Sequence, residues 1–431
     1  MNVTGLITEF NPFHNGHKYY IEKAKEATNA DYLIAVMSGN FTQRGEPALI
    51  DKYSRTKMAL SCGVDLVLEL PVCHATGSAE YFATGAVDLL SRLATVNSFC
   101  FGSESGNLDL MTSIAKVLLE EPVEFQESLK QRLKAGNNFP SARAHALSEY
   151  LRNQNPGDAG QQAMAEACLQ SPNNILGIEY IKAHLRLGSS MTPVTMARLQ
   201  NSYHDRVLSS GTYKNHHISS ATSIRQILTE AFHSSSEFPD ALQNHLPKNS
   251  CEILRQAYRK NSPVESNDFS LPLHYCLLLV KSPEELVRYQ DISPDLANRI
   301  YHLIPEFHDF DSFVTLLKTR QFTETRIRRA LLHILLKIPK MTVSSSETAN
   351  LNHYIRVLGF RSDAVPLLSK IKKRSSLPLI TKLADSSSLL DAEAGSMLAS
   401  DIFNSAVYHS VVSNQFSLPP YNEYTRQLVI L

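Results

Sequence analysis

VTGLITEFNPFHNGHKYY, residues 3–20, decides the fold of this chain. A short apolar run over residues 3–8 is followed by the element His14-Asn15-Gly16-His17, and a helical pattern then covers residues 18–27. Apolar runs at 32–37, 65–70, 98–101 and 193–199 recur along the chain with helical patterns between them, including those at 52–62 and 78–90. Strands that alternate with helices in this way form βαβ units, so we predict an α/β fold with a parallel sheet.

The His14-Asn15-Gly16-His17 element follows the first predicted strand, and ligands of such sheets bind at the carboxyl ends of strands. Gly16 lets the backbone approach a phosphate, and the helix start offers free N–H groups and a positive dipole end to an anion. The two imidazoles share one helix face and can donate hydrogen bonds to phosphate oxygens. A surface pair or half a metal site are the alternatives. No Cys or carboxylate cluster accompanies the imidazoles, so we predict no metal site.

A second element, residues 218–225, supports this interpretation. Ser220 and Thr222 occupy positions where hydroxyl groups cap a helix. Arg225, about one turn into that helix, is placed to reach a β- or γ-phosphate at the helix N-terminus. An ordinary capped helix with a surface arginine is the alternative. We predict that Arg225 is catalytic together with the two imidazoles.

The loop after the second predicted strand, residues 40–47, is polar and contains one glycine. Gln43 and Arg44 are candidates for closing over a small carboxylate, because the planar guanidinium matches a carboxylate well. A solvated loop is the alternative interpretation. The next predicted helix has a basic face that we interpret as solvated, formed by Lys52, Arg55 and Lys57.

The overall composition of the chain does not indicate which kind of molecule it binds. The 431 residues include 42 Lys and Arg and 42 Asp and Glu, so a nucleic-acid partner has to be inferred from local basic clusters. No targeting segment and no long apolar run is visible, so we expect no membrane association. The six cysteines are scattered without a CxxC pair, which is typical of reduced thiols in a cytoplasmic protein.

The domain organisation follows from where the strand patterns stop. They fade after Ser234-Ser235-Ser236, and helical patterns such as residues 324–337 dominate from there. Residues 110–169 are also helical in pattern and show no obvious chemistry. A chain of this length is expected to form more than one domain. We predict an α/β domain over residues 1–235 and a mainly helical C-terminal domain over residues 236–431.

Two basic clusters in the C-terminal portion are candidates for contacting a nucleic acid, since phosphate backbones attract such patches. Residues 356–382 contain seven Lys and Arg side chains and few acids: Arg356, Arg361, Lys370, Lys372, Lys373, Arg374 and Lys382. A second cluster on a predicted helix consists of Arg326, Arg328 and Arg329. A solvated helix face is the alternative. The residues that we predict to bind RNA are Arg356, Lys370, Lys372, Lys373 and Arg374.

Longer strings carry a resemblance to known proteins. The His-x-Gly-His element and the later Ser-Ser-Ala-Thr-Ser-Ile-Arg element resemble those of the nucleotidyltransferase superfamily of the class I aminoacyl-tRNA synthetase type. The strings MSGNFTQRGEPA (37–48), DLVLELP (65–71), PNNILG (172–177), RVLGF (356–360) and SSLP (375–378) extend the likeness along the chain. Together with the opening segment they resemble the tRNA(Met) cytidine acetate ligase family over essentially the whole length.

The resemblance implies a Rossmann-like domain that binds ATP, with Mg²⁺ expected alongside it. It implies an enzyme that joins acetate to ATP, giving acetyl-adenylate and pyrophosphate. The acetyl group then passes to the exocyclic amine of the wobble cytidine of elongator tRNA(Met), releasing AMP. No stable protein partner is evident. Asn174 is the alternative to Asn173 in the ATP-binding set, which is Ile7, Thr8, Glu9, Phe10, Asn11, Pro12, Phe13, His14, Asn15, Gly16, His17, Lys18, Tyr19, Tyr20, Gly102, Asn173, Arg198, Ser220 and Thr222.

Two other functions stay open from the sequence. One is a small-molecule adenylyltransferase of cofactor biosynthesis, which the long helical C-terminal portion disfavours because such enzymes are usually much shorter. The other is a nucleotide- or RNA-binding protein without catalysis. The presence of His14, His17 and Arg225 disfavours it, because binding alone does not need both imidazoles.

Overall fold

The predicted parallel strands form the centre of a mixed sheet. The structure, a computed structural model, describes residues 1–137, 139–154, 167–169, 171–198, 212–213, 216–234, 237–340 and 352–431. The parallel strands are β1 (Val3–Thr8), β2 (Tyr32–Ser38), β3 (Leu66–Leu70), β4 (Ser98–Ser103) and β5 (Thr192–Ala197). They lie in the order β3-β2-β1-β4-β5, which confirms the predicted parallel α/β sheet. Leu199, the end of the last predicted strand, lies outside the described residues.

The C-terminal portion extends this sheet, which the sequence patterns did not predict. The short strands β6 (Thr212–Tyr213) and β7 (His216–His217) pair only with each other in the described sheets. Strand β8 (Ile355–Phe360) pairs with β3 in the antiparallel direction. Beyond β8, on its other side, lie β9 (Leu379–Ile380) and β10 (Val429–Ile430). The division between residues 235 and 236 stays a prediction, and Ser235 and Ser236 lie outside the described residues.

Helices cover both faces of the sheet and give it two cores. Phe82, Met111 and Ile178 pack against one face, whereas Ile21, Met58 and Ile224 pack against the other. Because both faces of the sheet are buried, the strands appear in the sequence as continuous apolar runs. The helices before residue 236 are α1 (Asn15–Thr28), α2 (Lys52–Ser61), α3 (Val72–Ala75), α4 (Ala79–Arg92), α5 (Leu108–Glu120), α6 (Val123–Lys134), α7 (Phe139–Gln154), α8 (Pro172–Arg186) and α9 (Ala221–His233).

The remaining helices make the C-terminal portion mainly helical, as predicted. A third core joins most of them, centred on side chains such as Phe313 and Leu331. These helices are α10 (Lys248–Ala257), α11 (Ser270–Leu278), α12 (Pro283–Val287), α13 (Pro294–Leu303), α14 (Phe310–Leu317), α15 (Glu324–Leu336), α16 (Val365–Arg374), α17 (Ser386–Leu389) and α18 (Ala392–Gln415). Short 3₁₀ segments lie at Asp240–Asn244, Ser266–Phe269, Ile304–Glu306, Ser362–Ala364, Leu383–Asp385 and Glu423–Thr425.

Three further features concern metals, thiols and membranes. Within the described ranges, no helix has both the length and the apolar character that crossing a bilayer requires. In the same ranges, His, Cys, Asp and Glu side chains form no group of three or more that could hold a metal ion. All six cysteines are free thiols.

Candidate active site

A cavity of about 260 Å³ lies where the loops after β1 and β2 and the ends of β4 and β5 meet the start of α9. Residues that are as far apart in the sequence as Ile7 and Arg225 therefore share one site. The cavity contains most of the residues predicted for ATP and carboxylate binding, namely Ile7, Thr8, Glu9, Phe10, Asn11, His14, Gly16, His17, Tyr19, Tyr20, Gln43, Arg44, Gly102, Asn173, Arg198, Ser220, Thr222 and Arg225.

Some residues of the predicted ATP-binding segment lie outside the lining, namely Pro12, Phe13, Asn15 and Lys18. Phe13 is buried, and its ring centroid lies 5.5 Å from that of His17. The Asn15 side chain donates to the carbonyl oxygens of His217 and Asn244, both at 2.9 Å. Phe13 and Asn15 thus hold the segment in place, and contact between ATP and these side chains stays a prediction.

The two imidazoles of the motif lie together at the start of α1. Their ring centroids are 3.8 Å apart, and both rings line the cavity. His14 Nδ1 accepts the Gly16 N–H at 3.1 Å, and His17 Nδ1 accepts the His14 N–H at 3.3 Å. In a neutral imidazole one nitrogen accepts and the other donates. Each ring therefore carries its proton on Nε2, which makes Nε2 the donor available to a ligand.

Burial keeps both imidazoles neutral. Loss of hydration, together with Arg198 and Arg225, lowers the pKa of His14 from 6.5 to about 3. Loss of hydration, the neighbouring His14 and Arg198 lower the pKa of His17 well below 6.5. A neutral ring that donates from Nε2 keeps its donor role across the physiological pH range.

We expect neither imidazole to titrate between pH 5 and 8 in the ligand-free protein. The unfolded chain takes up these protons near pH 6.5 while the folded chain does not, so folding stability should decrease as the pH falls below about 6.5. The measurement is the pH dependence of the Cε1–H NMR signals, assigned by comparison with His14→Gln and His17→Gln. An inflection between pH 5 and 8 in either signal would contradict the neutral-donor assignment.

The start of α1 differs from the prediction of free amide donors. The Asn15 N–H donates to the His245 carbonyl at 3.1 Å, and the His17 N–H donates to the His14 carbonyl at 2.9 Å. Because the Gly16 N–H is held by the His14 ring, the prediction that these amides are free for an anion is wrong in this structure. The imidazole Nε2 groups, rather than main-chain amides, are the donors at this end of the helix.

Gly16 leaves space for the His14 imidazole. A Cβ atom at this position would lie 2.8 Å from His14 Cε1 and 3.0 Å from Nδ1, closer than such atoms approach. From the sequence we predicted that Gly16 lets the backbone approach a phosphate. The structure shows that its missing side chain makes room for the ring that its own N–H holds.

We expect Gly16→Ala to displace the His14 ring and to slow catalysis by about 100-fold, since a shift of about 1 Å in a catalytic group costs that much. Gly395→Ala is the matched control, because nothing lies within 4 Å of a Cβ at that helical position. The measurement is the initial rate of ATP–pyrophosphate exchange for both variants. Equal rates would mean that the ring does not need the space left by Gly16.

The start of α9 supplies the arginine of the second motif. Ser220 is the N-cap, and its Oγ accepts the Ser223 N–H at 3.1 Å. Thr222 lies within the first turn instead of capping the helix, which corrects the prediction for its hydroxyl. Arg225 Nη1 donates to the Asn11 carbonyl at 2.8 Å. The arginine is therefore fixed against the segment that carries the two imidazoles.

Three further predicted residues lie together in the cavity lining. Arg198 Nη1 donates to Asn173 Oδ1 at 3.3 Å, and a Cβ on Gly102 would touch the Arg198 side chain at 3.3 Å. Asn173 Nδ2 donates to Glu104 Oε1 at 2.6 Å. Asn174 is buried, and its Oδ1 accepts the main-chain N–H of Glu104 at 2.9 Å. Asn173 therefore lies at the cavity, whereas Asn174 serves the fold.

The loop with Gln43 and Arg44 lies over the same cavity. The Gln43 N–H donates to Glu9 Oε1 at 2.8 Å, and Arg44 Nη1 is 3.5 Å from Thr222 Oγ1. Gly45 has a φ of +76°, and a Cβ there would lie 2.4 Å from the main chain of Arg329. The loop is thus fixed between the end of β1 and helix α15 rather than solvated.

Two of the three cations predicted to form a solvated face on α2 are buried, so the prediction is wrong for Lys52 and Arg55 and holds for Lys57. Arg55 is fully buried and donates to the carbonyl oxygens of Glu9 at 2.7 Å and Ser38 at 3.1 Å. Lys52 is also fully buried, and Lys57 is exposed. Because these carbonyls lie at the ends of β1 and β2, Arg55 joins two strands directly below the cavity.

The predicted RNA-binding clusters separate in the structure. Arg356 lies on β8, is 3% exposed and pairs with Glu69 at 3.0 Å. It also pairs with Glu423. A buried, paired guanidinium cannot reach a phosphate backbone, so its assignment to RNA binding is wrong. The other four residues predicted to bind RNA lie on α16, where Lys370 is half-buried and Lys372, Lys373 and Arg374 are exposed.

The second basic cluster is largely neutralised on α15. Arg328 pairs with Asp311 at 2.6 Å, and Arg329 pairs with Asp291 at 2.7 Å. Arg326 lies over the Phe322 ring at 5.5 Å. These contacts hold α15 against its neighbours, so the cluster has a structural role.

An apolar wall of the cavity was missed from the sequence. A Cβ on Gly177 would lie 2.6 Å from the Phe101 ring, so helix α8 packs tightly against β4 at this wall. Buried aromatic and aliphatic residues look alike in a sequence whether or not they border a ligand site, and only their place beside the motif could have indicated it. The wall consists of Phe82, Phe101, Leu176, Tyr180 and Met196.

These features define a nucleotidyltransferase. The family model "HIGH Nucleotidyl Transferase" matches residues 1–420, and the chain belongs to that family.

Relatives define the family more narrowly. The tRNA(Met) cytidine acetate ligase of Acetivibrio thermocellus is 38% identical and is matched over 100% of both chains. That of Thermoanaerobacter pseudethanolicus is 41% identical over 96% of both chains. The crystal structure of apo Thermotoga maritima TmcAL has a TM-score of 0.88 at 32% identity, covering 100% of both chains. The same protein bound with alpha-thio ATP has a TM-score of 0.83 at 32% identity, covering 97% of this chain and 99% of that one. The chain belongs to the tRNA(Met) cytidine acetate ligase family.

Proposed function

We propose that this chain is an ATP-dependent ligase that acetylates the exocyclic amine of the wobble cytidine of elongator tRNA(Met). In the first step acetate attacks the α-phosphate of ATP, giving acetyl-adenylate and pyrophosphate. In the second step the cytidine amine takes the acetyl group and AMP leaves. ATP enters as its Mg²⁺ complex, and the reaction takes place in the cytoplasm.

The observation that carries this proposal is the convergence of two neutral Nε2 donors with three arginines in one cavity. His14 and His17 donate without adding charge, whereas Arg44, Arg198 and Arg225 supply positive charge. Charge develops on the α-phosphate and on the leaving pyrophosphate, and donors held in place before the reaction stabilise it best. Phosphoryl chemistry needs positioning and charge stabilisation more than covalent help.

Family membership supports the substrates. The relatives matched over their full length are named for acetate, cytidine and tRNA(Met), and the Thermotoga protein was crystallised with alpha-thio ATP. A small-molecule adenylyltransferase or a non-catalytic binding protein has no such support among these full-length matches.

The direct test is nucleoside mass spectrometry of elongator tRNA(Met) incubated with the enzyme, ATP and labelled acetate. Labelled N4-acetylcytidine and a matching amount of AMP are expected. A parallel reaction contains acetyl-coenzyme A and no ATP or acetate. Product in the second reaction alone would refute the ligase.

We also propose that the exposed end of α16 holds tRNA. Each phosphate contact releases counterions, so changing Lys370, Lys372, Lys373 and Arg374 together to Ala should weaken binding and flatten the slope of log affinity against log salt by about 3 to 4. Pyrophosphate exchange without tRNA should be unchanged, since α16 does not line the cavity. The measurement is a salt series of tRNA titrations.

The matched control removes four exposed lysines elsewhere, namely Lys248, Lys260, Lys281 and Lys318. The same net charge is lost, so a general electrostatic effect would weaken tRNA binding in both variants. An equal salt slope for the two variants would show that α16 makes no specific contribution.

A further inference from the structure

The carboxylate of Glu9 lies in a cavity that otherwise suits anions. Glu9 directly follows β1, is partly buried and lines the cavity. A carboxylate beside a triphosphate is unfavourable by charge, so its presence needs a reason other than phosphate binding. The acetyl-transfer step supplies one, because the attacking cytidine amine must lose a proton.

We propose that Glu9 is the general base that takes this proton, a proposal that rests on the function proposed above. The amine nitrogen attacks the carbonyl carbon of acetyl-adenylate and forms the new C–N bond. One N–H proton passes to a carboxylate oxygen of Glu9. The bond between the acyl carbon and the phosphate oxygen breaks, and its electron pair leaves with AMP. Glu9 then returns the proton to solvent.

The geometry fixes the Glu9 carboxylate. Its Oε1 accepts the Gln43 N–H at 2.8 Å, and the Glu9 carbonyl accepts Arg55 Nη1 at 2.7 Å. The side chain and the main chain of Glu9 are therefore each held by a hydrogen bond. In the proposed step, Oε2 is the carboxylate oxygen that takes the proton, because Oε1 accepts the Gln43 N–H. The charged and titratable groups that face the carboxyl are Arg44 on the loop, Arg225 on α9, Arg55 on α2 and Tyr180 on α8.

Other bases in the cavity fit less well. His14 and His17 already accept main-chain N–H groups at Nδ1 and carry protons on Nε2, so either ring would have to give up its main-chain hydrogen bond to take another proton. Glu46 lines the cavity, but its carboxylate lies 4.0 Å from Arg225 Nη2, and it also interacts with the charge of Arg328. The Glu46 carboxylate is therefore already engaged by these two arginines.

Electrostatics favour Glu9 as well. Burial raises the pKa of Glu9. The hydrogen bond from the Gln43 N–H and the nearby arginines lower this pKa, but the effect of burial is larger. A base with a higher pKa accepts a proton more readily, as long as it is ionised at the working pH. Acetyl transfer should therefore decline as the pH falls through the Glu9 pKa.

The test is Glu9→Gln, which keeps an oxygen that can accept the Gln43 N–H but cannot take a proton. Chemically prepared acetyl-adenylate and tRNA measure transfer in single turnover, and ATP–pyrophosphate exchange with acetate measures activation. We expect transfer relative to exchange to fall by about 100-fold or more, as for loss of a general base. The acidic decline in the transfer pH profile should disappear.

Glu26→Gln, a variant of an exposed carboxylate on α1, is the matched control and should leave both activities unchanged. An unchanged ratio of transfer to exchange in Glu9→Gln would overturn the proposal. If both activities are normal, the carboxylate is not needed, and if both fall equally, the substitution has displaced the loop. Loss of transfer in Glu46→Gln with normal transfer in Glu9→Gln would also overturn it. If the wild-type enzyme fails to transfer acetyl from acetyl-adenylate to tRNA, the proposed function itself fails.

Discussion

Replacing either imidazole, as His14→Ala or His17→Ala, is expected to slow acetyl-adenylate formation by about 100- to 1,000-fold, which is the usual cost of losing one donor to developing charge. Both rings are neutral and held through Nδ1, so each contributes one Nε2–H donor in a fixed direction. The loss should appear in kcat more than in KM for ATP, because the donors act on charge that develops in the transition state. ATP–pyrophosphate exchange with acetate measures both constants.

Amide variants separate the two nitrogens of each ring. A Gln amide can place a donor near the position of Nε2, whereas an Asn amide reaches only the position of Nδ1. His17→Gln should therefore retain more activity than His17→Asn. His308→Ala removes an exposed imidazole on another part of the surface and should leave exchange unchanged. Near-wild-type turnover in both alanine variants would remove the imidazoles from the mechanism.

The local parts of this site could be predicted because their causes lie close together in the sequence. The apolar run at residues 3–8 is strand β1 with the predicted bounds. The helix expected near Thr222 begins at Ala221, since a Ser or Thr N-cap acts within a few residues. A strand, a glycine and two histidines in succession were enough to place the start of α1 at the cavity.

The buried cations could not be predicted, because their partners are distant in the sequence. Lys52, Arg55 and Arg356 look like solvated charges, as Lys and Arg usually are. In the fold, Arg55 donates to carbonyl groups at strand ends, and the other two cations meet Glu69 and Glu423. Strand β8 was missed for the same reason, since its place in the sheet depends on Arg356, near the start of the strand, being neutralised.

Glu423→Gln is expected to lower the free energy of unfolding by about 3 to 5 kcal/mol, the usual cost of removing one partner from a buried ion pair. The Glu423 carboxylate lies 2.8 Å from Lys52 Nζ and accepts Ser405 Oγ at 2.6 Å, and it also pairs with Arg356. Burial alone would raise the pKa of Glu423, but Lys52 and Arg356 hold it far below its usual value. Without this carboxylate, Lys52 and Arg356 both have to pair with Glu69. Urea unfolding measures the loss.

A second variant tests whether charge balance is the cause. Lys52→Met combined with Glu423→Gln leaves Arg356 paired with Glu69 alone, so the buried charge is again balanced. The double variant should be more stable than the sum of the two single losses predicts, which a double-mutant cycle measures directly. Glu393→Gln, at a side chain that is 79% exposed, is the control and should change stability by no more than about 0.5 kcal/mol. Additive losses would mean that the carboxylate stabilises β8 through its hydrogen bonds and not through its charge.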